Sequence, residues 1–128
     1  MVIDASAVVA ILKAEPEQTT FLHLITRATP KRMSPVNWFE AAIAIERGGP
    51  QARAGLDDFI RRSQIEIMPV ESAHMILAHE AWLHFGKGRH GAALNLGDCF
   101  AYALAKHVRE PLLFKGDDFR KTDIAAAL

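Results

Sequence analysis

Met1-Val2-Ile3-Asp4-Ala5-Ser6-Ala7-Val8-Val9-Ala10-Ile11-Leu12 is the stretch whose reading decides the fold. Met1 to Ile3 is a short apolar run that ends on Asp4, the pattern of a buried strand. Asp4-Ala5-Ser6 then offers a strand end and a helix N-cap, and Ala7 to Leu12 continue as an apolar helix. A strand that passes this abruptly into a helix predicts an α/β layer fold.

The rest of the chain repeats the theme. Pro16 sits just inside a second helix, with Phe21, Leu22, Leu24 and Ile25 on its apolar face. Met33 belongs to a short second strand. Ser34-Pro35 reads as a cap and first-turn proline for a helix through Trp38, Phe39, Ala42, Ile43 and Ile45, which Gly48-Gly49-Pro50 stops. A further helix runs from about Gln51 to Arg62, with Leu56, Phe59 and Ile60 inward. Ile65 to Val70 alternates apolar and polar residues as a strand does, and Ser72 caps a helix to about Phe85. Gly86 to Gly91 is a flexible basic loop. Gly97-Asp98 opens a helix to about His107, Pro111 to Phe114 is a strand, and Lys115 to Phe119 is the turn after it. There is no repeat, low-complexity segment or linker, so residues 1–128 are expected to form one domain. The expected architecture is a mainly parallel central sheet flanked by helices. Sites in such sheets lie beyond the C-terminal ends of the strands, at a topological switch point.

Composition excludes several classes of function. The chain has 128 residues, 15 basic and 15 acidic, with half of all residues apolar and 23% charged. That balance belongs to an ordinary globular domain and argues against disorder. No run approaches the ~20 apolar residues of a membrane span. Asp4 and Ser6 interrupt the N-terminus, so no signal peptide is expected. The one cysteine, Cys99, cannot form an internal disulfide, which fits a reducing compartment and hence the cytoplasm. Zero net charge gives no bulk attraction to nucleic acid, so any such binding must come from local patches or metal ions.

The chemistry points to carboxylates. Asp4 ends the first strand, Asp98 lies in the first turn of a helix, and Asp117 and Asp118 follow the last strand. Glu40 lies in the otherwise apolar run Trp38 to Ile43, on a helix face shared with Ile43 and Ala44. A carboxylate on an apolar face is costly unless something pairs with it. Each acid also has a plain structural role open to it, as a cap, a favourable charge in a first turn, or a turn residue. Together they recur at strand ends and helix starts of one small sheet, without a matching set of cations. Oxygen donors of that kind suit a hard divalent ion such as Mg²⁺ or Mn²⁺.

Four segments, in order, resemble the PIN-domain ribonucleases. They are Met1-Val2-Ile3-Asp4-Ala5-Ser6-Ala7, Ser34-Pro35-Val36-Asn37-Trp38-Phe39-Glu40-Ala41, Leu94 to Ala105 around Gly97-Asp98-Cys99, and Leu112 to Phe119 with Thr122-Asp123-Ile124. The resemblance runs nearly end to end and is nearest to the VapC toxins of bacterial toxin–antitoxin pairs. It implies a Mg²⁺- or Mn²⁺-dependent endoribonuclease whose acidic cluster is Asp4, Glu40 and Asp98, with Asp4 and Asp98 as direct ligands and Ser6 supporting them by hydrogen bonding. Many members carry an aspartate directly after the last strand, where this chain has Gly116. Asp118 is the preferred fourth acid, with Asp117 second. Glu40 would orient the attacking water or take its proton. Lys87, Arg89, His90 and Lys115 are candidates for phosphate contact. The resemblance also implies a small antitoxin partner, of the VapB kind, that blocks the acidic site with a basic side chain. A homodimer and a higher assembly with the antitoxin are expected too. Competing readings are a PIN nuclease in RNA processing without a toxin role, a non-catalytic PIN-like binding module and a metal-independent phosphodiesterase.

Other signals carry less. Gly86-Lys87-Gly88-Arg89-His90-Gly91 has the spacing of a dinucleotide loop, but a helix precedes it where a strand is required. His79 and His84 are five apart, ~140° around a helix, and cannot share one metal. His23, His74 and His107 read as surface or cap residues, and Cys99 as a small core residue. Trp38, Phe39, Trp82, Phe85, Phe100 and Tyr102 read as core aromatics.

Overall fold

A computed structural model describes residues 1–128. The elements are β1 (Val2–Ile3), α1 (Ala5–Leu12), α2 (Gln18–Arg27), β2 (Arg32–Met33), α3 (Pro35–Ile45), α4 (Gly49–Arg62), β3 (Glu66–Ile67), α5 (Ser72–Phe85), α6 (Leu96–Val108) and β4 (Leu112–Leu113). The four strands form one sheet in the order β3-β2-β1-β4, and every pairing is parallel. The α/β reading with a parallel sheet is therefore what the chain adopts. The strands are shorter than the apolar runs suggested. Only Glu66–Ile67 of the segment 65–70 is strand, and both residues are exposed. Pro69 lacks the N–H that would extend the ladder.

The two-residue period divides the core. Val2 and Leu112 face one layer, where they meet Leu104 and Ala101 of α6 and Ala78 of α5. Ile3 and Leu113 face the other, where they meet Val8 and Ile11 of α1, Phe21 of α2 and Ala41 of α3. Register between β1 and β4 (Val2 with Leu112, Ile3 with Leu113) keeps each pair on one face.

Helix starts follow their caps, with some shifts from the sequence reading. Asp4 caps α1, its carboxylate accepting from the Ser6 N–H at 2.9 Å. Ser34 caps α3, accepting from the Val36 N–H at 3.2 Å, with Pro35 in the first turn. At α6 the N-cap is Asn95, one turn before Asp98. The Asp98 N–H donates to Asn95 Oδ1 and the Asn95 N–H donates to Asp98 Oδ2, both at 2.8 Å. At α5 the cap is Glu71 and not Ser72, and its N–H donates to His74 Nδ1 at 3.2 Å. His74 is thus a cap residue but buried, not on the surface. Its ring meets that of His107 edge-on at 4.6 Å. Helix α4 starts two residues before the expected Gln51, and Leu22 of α2 is exposed. The expected core aromatics divide. Tyr102 is buried, whereas Phe39 (60%) and Trp82 (36%) are exposed. Cys99 is buried in the core, which pushes its thiol up to about 11. No helix is long and apolar enough to cross a membrane.

Candidate active site

Strand order places the site. β1 is flanked by β2, reached through α1 and α2, and by β4, reached last, so the chain reverses direction across the sheet beside β1. Asp4 is the residue at the C-terminal end of β1. The helices α3 and α6 bring Glu40 and Asp98 to the same place.

Asp4 is buried, and both oxygens of its carboxylate accept hydrogen bonds. The Ser6 N–H and hydroxyl donate to Oδ2 at 2.9 and 2.5 Å, and Asn37 Nδ2 donates to Oδ1 at 3.0 Å. The Ser6 hydroxyl in turn accepts from the Lys115 N–H at 3.0 Å, which ties β1 to the turn after β4. Asn37 Nδ2 also donates to Glu40 Oε2 at 3.3 Å and to the Gly97 carbonyl at 3.1 Å. Gly97 in the first turn of α6 is pressed against Glu40. A Cβ there would lie 1.8 Å from Glu40 Oε2. Only glycine leaves room for the carboxyl.

The electrostatics carry the same message. Burial and the charges of Asp4 and Asp98 push the Glu40 carboxyl up to about 7. Burial and the charges of Asp4 and Asp118 push Asp98 up to about 6, against the lowering effect of its hydrogen bond from Asn95. Burial also raises Asp4. None of Asp4, Glu40, Asp98 or Asp118 has an ion-pair partner, although other carboxylates of the chain do. Like charges held together without a cation are the condition in which a divalent ion is bound. Asp118 is exposed and shares the field of Asp98, whereas Asp117 lies 3.9 Å from Arg120. No three His, Cys, Asp or Glu side chains are close enough together to enclose a metal ion. The carboxylates are turned to their protein donors, Asp98 toward Asn95 and Asp4 toward Ser6. The oxygen donors and their uncompensated charge nevertheless fit a hard divalent ion.

The basic candidates separate. The Lys115 ammonium is bound to Glu15 at 2.6 Å and Glu17 at 3.0 Å, so it is not free for a phosphate in this arrangement. Lys87, Arg89 and His90 are exposed. Their loop closes on itself through backbone hydrogen bonds. The Arg89 N–H donates to the Gly86 carbonyl and the Lys87 N–H to the Leu94 carbonyl, both at 2.9 Å. His90 Nδ1 accepts from the Ala92 N–H at 3.0 Å, and its ring sits edge-on to Phe85. Lys87 borders an apolar groove of about 540 Å³ lined by Trp82, Asn95, Leu96 and Phe100. Asn37, Asn95 and Gly97 were not singled out in the sequence. The capping-box spacing of Asn95 and Asp98 was available there as a signal. For Asn37 and Gly97 nothing was.

A parallel sheet in the order 3-2-1-4, with acids from β1, α3 and α6 meeting at the switch point, defines a class. Residues 1–125 match the PIN domain, and the chain belongs to that family. Within it the chain is similar to the VapC ribonucleases. It is 44% identical to Ribonuclease VapC of Mycolicibacterium smegmatis over 127 residues, covering 98% of each chain. It is 43% identical to Ribonuclease VapC30 of Mycobacterium tuberculosis, covering 98% of this chain and 96% of that one. Among solved structures, the fold matches Mycobacterium tuberculosis VapC20, described as a Sarcin-Ricin loop cleaving toxin. The TM-score is 0.77 and the identity 17%, over 97% of this chain and 95% of that one. It also matches a chain of VapBC2 from Rickettsia felis bound to a promoter DNA fragment, at a TM-score of 0.75 and 16% identity over 98% and 95%.

Proposed function

We propose that residues 1–128 act as one PIN domain, a Mg²⁺- or Mn²⁺-dependent endoribonuclease that is the toxin of a type II toxin–antitoxin pair. The observation that carries this reading is the set Asp4, Glu40 and Asp98, coupled in charge and without a cation. Asp4 and Asp98 would hold the ion, with Asp118 as the fourth acid. A divalent ion held there would offset negative charge on the scissile phosphate and lower the pKa of water. The Ser6 hydroxyl fixes Asp4 Oδ2. Glu40 orients the attacking water or takes its proton. Lys87 and Arg89 supply phosphate contacts that the acidic cluster cannot.

The same unpaired charge invites a partner. A VapB-like antitoxin would place a basic side chain among the acids and cover apolar surface nearby. Phe39 and Ile43 on α3, and Met75 and Leu83 on α5, are exposed and leave surface for a second copy and for the antitoxin. One free thiol fits work in the cytoplasm.

The test is cleavage of total cellular RNA by purified protein, with Mg²⁺, Mn²⁺ or excess chelator, beside Asp98→Asn. Discrete metal-requiring cleavage that disappears in Asp98→Asn is the expected result. Absence of cleavage by folded protein freed of any co-purified antitoxin would overturn the reading, as would full activity in chelator.

A further inference from the structure

The amide of Asn37 joins three parts of the site. Asn37 lies on α3 one turn before Glu40 and is fully buried. Its single nitrogen lies within hydrogen-bond distance of Asp4 Oδ1, Glu40 Oε2 and the Gly97 carbonyl. It therefore touches the end of β1, the inner face of α3 and the first turn of α6 at once. Those partners also fix its orientation. Turned over, the amide would set its oxygen against two carboxylates and a carbonyl.

The choice of residue is informative. An amide donates hydrogen bonds without cancelling charge. A lysine or arginine at this place would satisfy the same oxygens but neutralise the cluster and compete with a bound cation. An aspartate would repel both carboxylates. The arrangement also has a cost, because Asn37 Oδ1 is buried with no partner. A buried acceptor left unpaired is destabilising. Stability of the fold alone does not account for an asparagine here.

We propose that Asn37 is the positioning residue of the acidic cluster, its uncharged amide fixing Asp4, which would hold a divalent cation, in place beside Glu40, which would act on the water. The inference rests on the cation-dependent reading of the site given above. Asn37 acts through the carboxylates and touches neither RNA nor the reacting atoms.

The experiment measures Mn²⁺ binding by the full-length metal-free protein, read from the paramagnetic resonance of free Mn²⁺. Wild type, Asn37→Ala and Asn37→Ser are compared, with thermal unfolding and cleavage kinetics recorded alongside. Outer partners of metal ligands are commonly worth about 10- to 100-fold in affinity. Asn37→Ala is expected to bind Mn²⁺ weaker by that factor and to lose kcat at fixed Mn²⁺, with KM for RNA within about threefold. Asn37→Ser keeps a donor too short to span both carboxylates and should fall between wild type and Asn37→Ala. If Asn37→Ala does not fold, Asn37→Ser alone must still bind Mn²⁺ more weakly than wild type. A folded variant with a lowered melting temperature but wild-type Mn²⁺ affinity and kcat overturns the proposal and leaves Asn37 a purely structural residue. Wild-type protein that binds no Mn²⁺ overturns the cation reading itself, and this inference with it.

Discussion

Replacing Gly97 by alanine should separate activity from stability. The new Cβ would lie 1.8 Å from Glu40 Oε2, 2.0 Å from Cδ and 2.2 Å from Oε1. A carbon and an oxygen ordinarily approach no closer than about 3.3 Å. The carboxyl must therefore retreat by about 1.5 Å. It can do so, because it is the end of a flexible side chain and not backbone. The retreat breaks the 3.3 Å hydrogen bond from Asn37, a loss of about 1 kcal/mol. Alanine in place of glycine within a helix returns up to about 1 kcal/mol. The melting temperature should then stay within a few degrees of wild type. Catalysis is less forgiving, since a displacement of about 1 Å commonly costs on the order of 10²-fold, or ~2.7 kcal/mol of barrier. The assay pairs calorimetry with the rate of metal-dependent RNA cleavage. Wild-type cleavage by Gly97→Ala would refute the reasoning that Glu40 must sit against α6. A fall of more than about 10 °C in melting temperature would refute the claim that the side chain, and not the helix, gives way.

Other outcomes follow from the same geometry. Asp98→Asn keeps an oxygen to accept from the Asn95 N–H, so the cap survives while the charge is lost. It should be folded, at least as stable as wild type without metal at pH 8, and inactive, which denaturation and cleavage assays check. Glu40 and Asp98 hold their protons more tightly folded than unfolded, at about 7 and about 6 against ordinary carboxylate values. The stability they lend is complete below about pH 4 and disappears as pH rises to about 7. Urea unfolding in chelator should therefore show stability falling over that range by on the order of 1–2 kcal/mol per group after solvent screening, and Glu40→Gln should flatten the slope. Saturating Mn²⁺ at 100 times its dissociation constant should restore about 2.7 kcal/mol at pH 8, and no such gain should appear in Asp98→Asn. Lys87→Ala should weaken RNA binding and reduce its salt dependence by about one ion, whereas Lys115→Ala, whose ammonium is bound to Glu15 and Glu17, should leave both unchanged.

The residues legible in the sequence were those that broke a pattern. Asp4 ended an apolar run, Glu40 interrupted an apolar helix face, and Asp98 opened a helix. The parallel sheet was legible too, because each strand passed through helices before the next. What escaped depended on contacts far apart in the chain. Asn37 looks like any polar residue on a helix until the Gly97 carbonyl, sixty residues later, is brought beside it. Gly97 looks like a helix start until Glu40 presses on it. The exposure of Phe39 and Trp82 was equally hidden, since an aromatic at helical spacing signals burial whether the surface awaits the fold or a partner. His74 reads as a surface or cap residue and is a cap, but its burial comes from packing beside His107 and not from its own hydropathy.

The division of the core into two layers has a consequence for the cell. Glu40 is held by the layer that contains α1 and α3 and Asp98 by the layer that contains α5 and α6, and the two layers meet at the end of β1 and where Asn37 and Glu40 touch Gly97. The acidic cluster is a seam rather than a pocket within either half. A copy whose layers have parted, through heat or a faulty mutation, keeps all its acids but no longer gathers them. On the function proposed above, damaged molecules would be harmless, and the cell would have only intact ones to restrain.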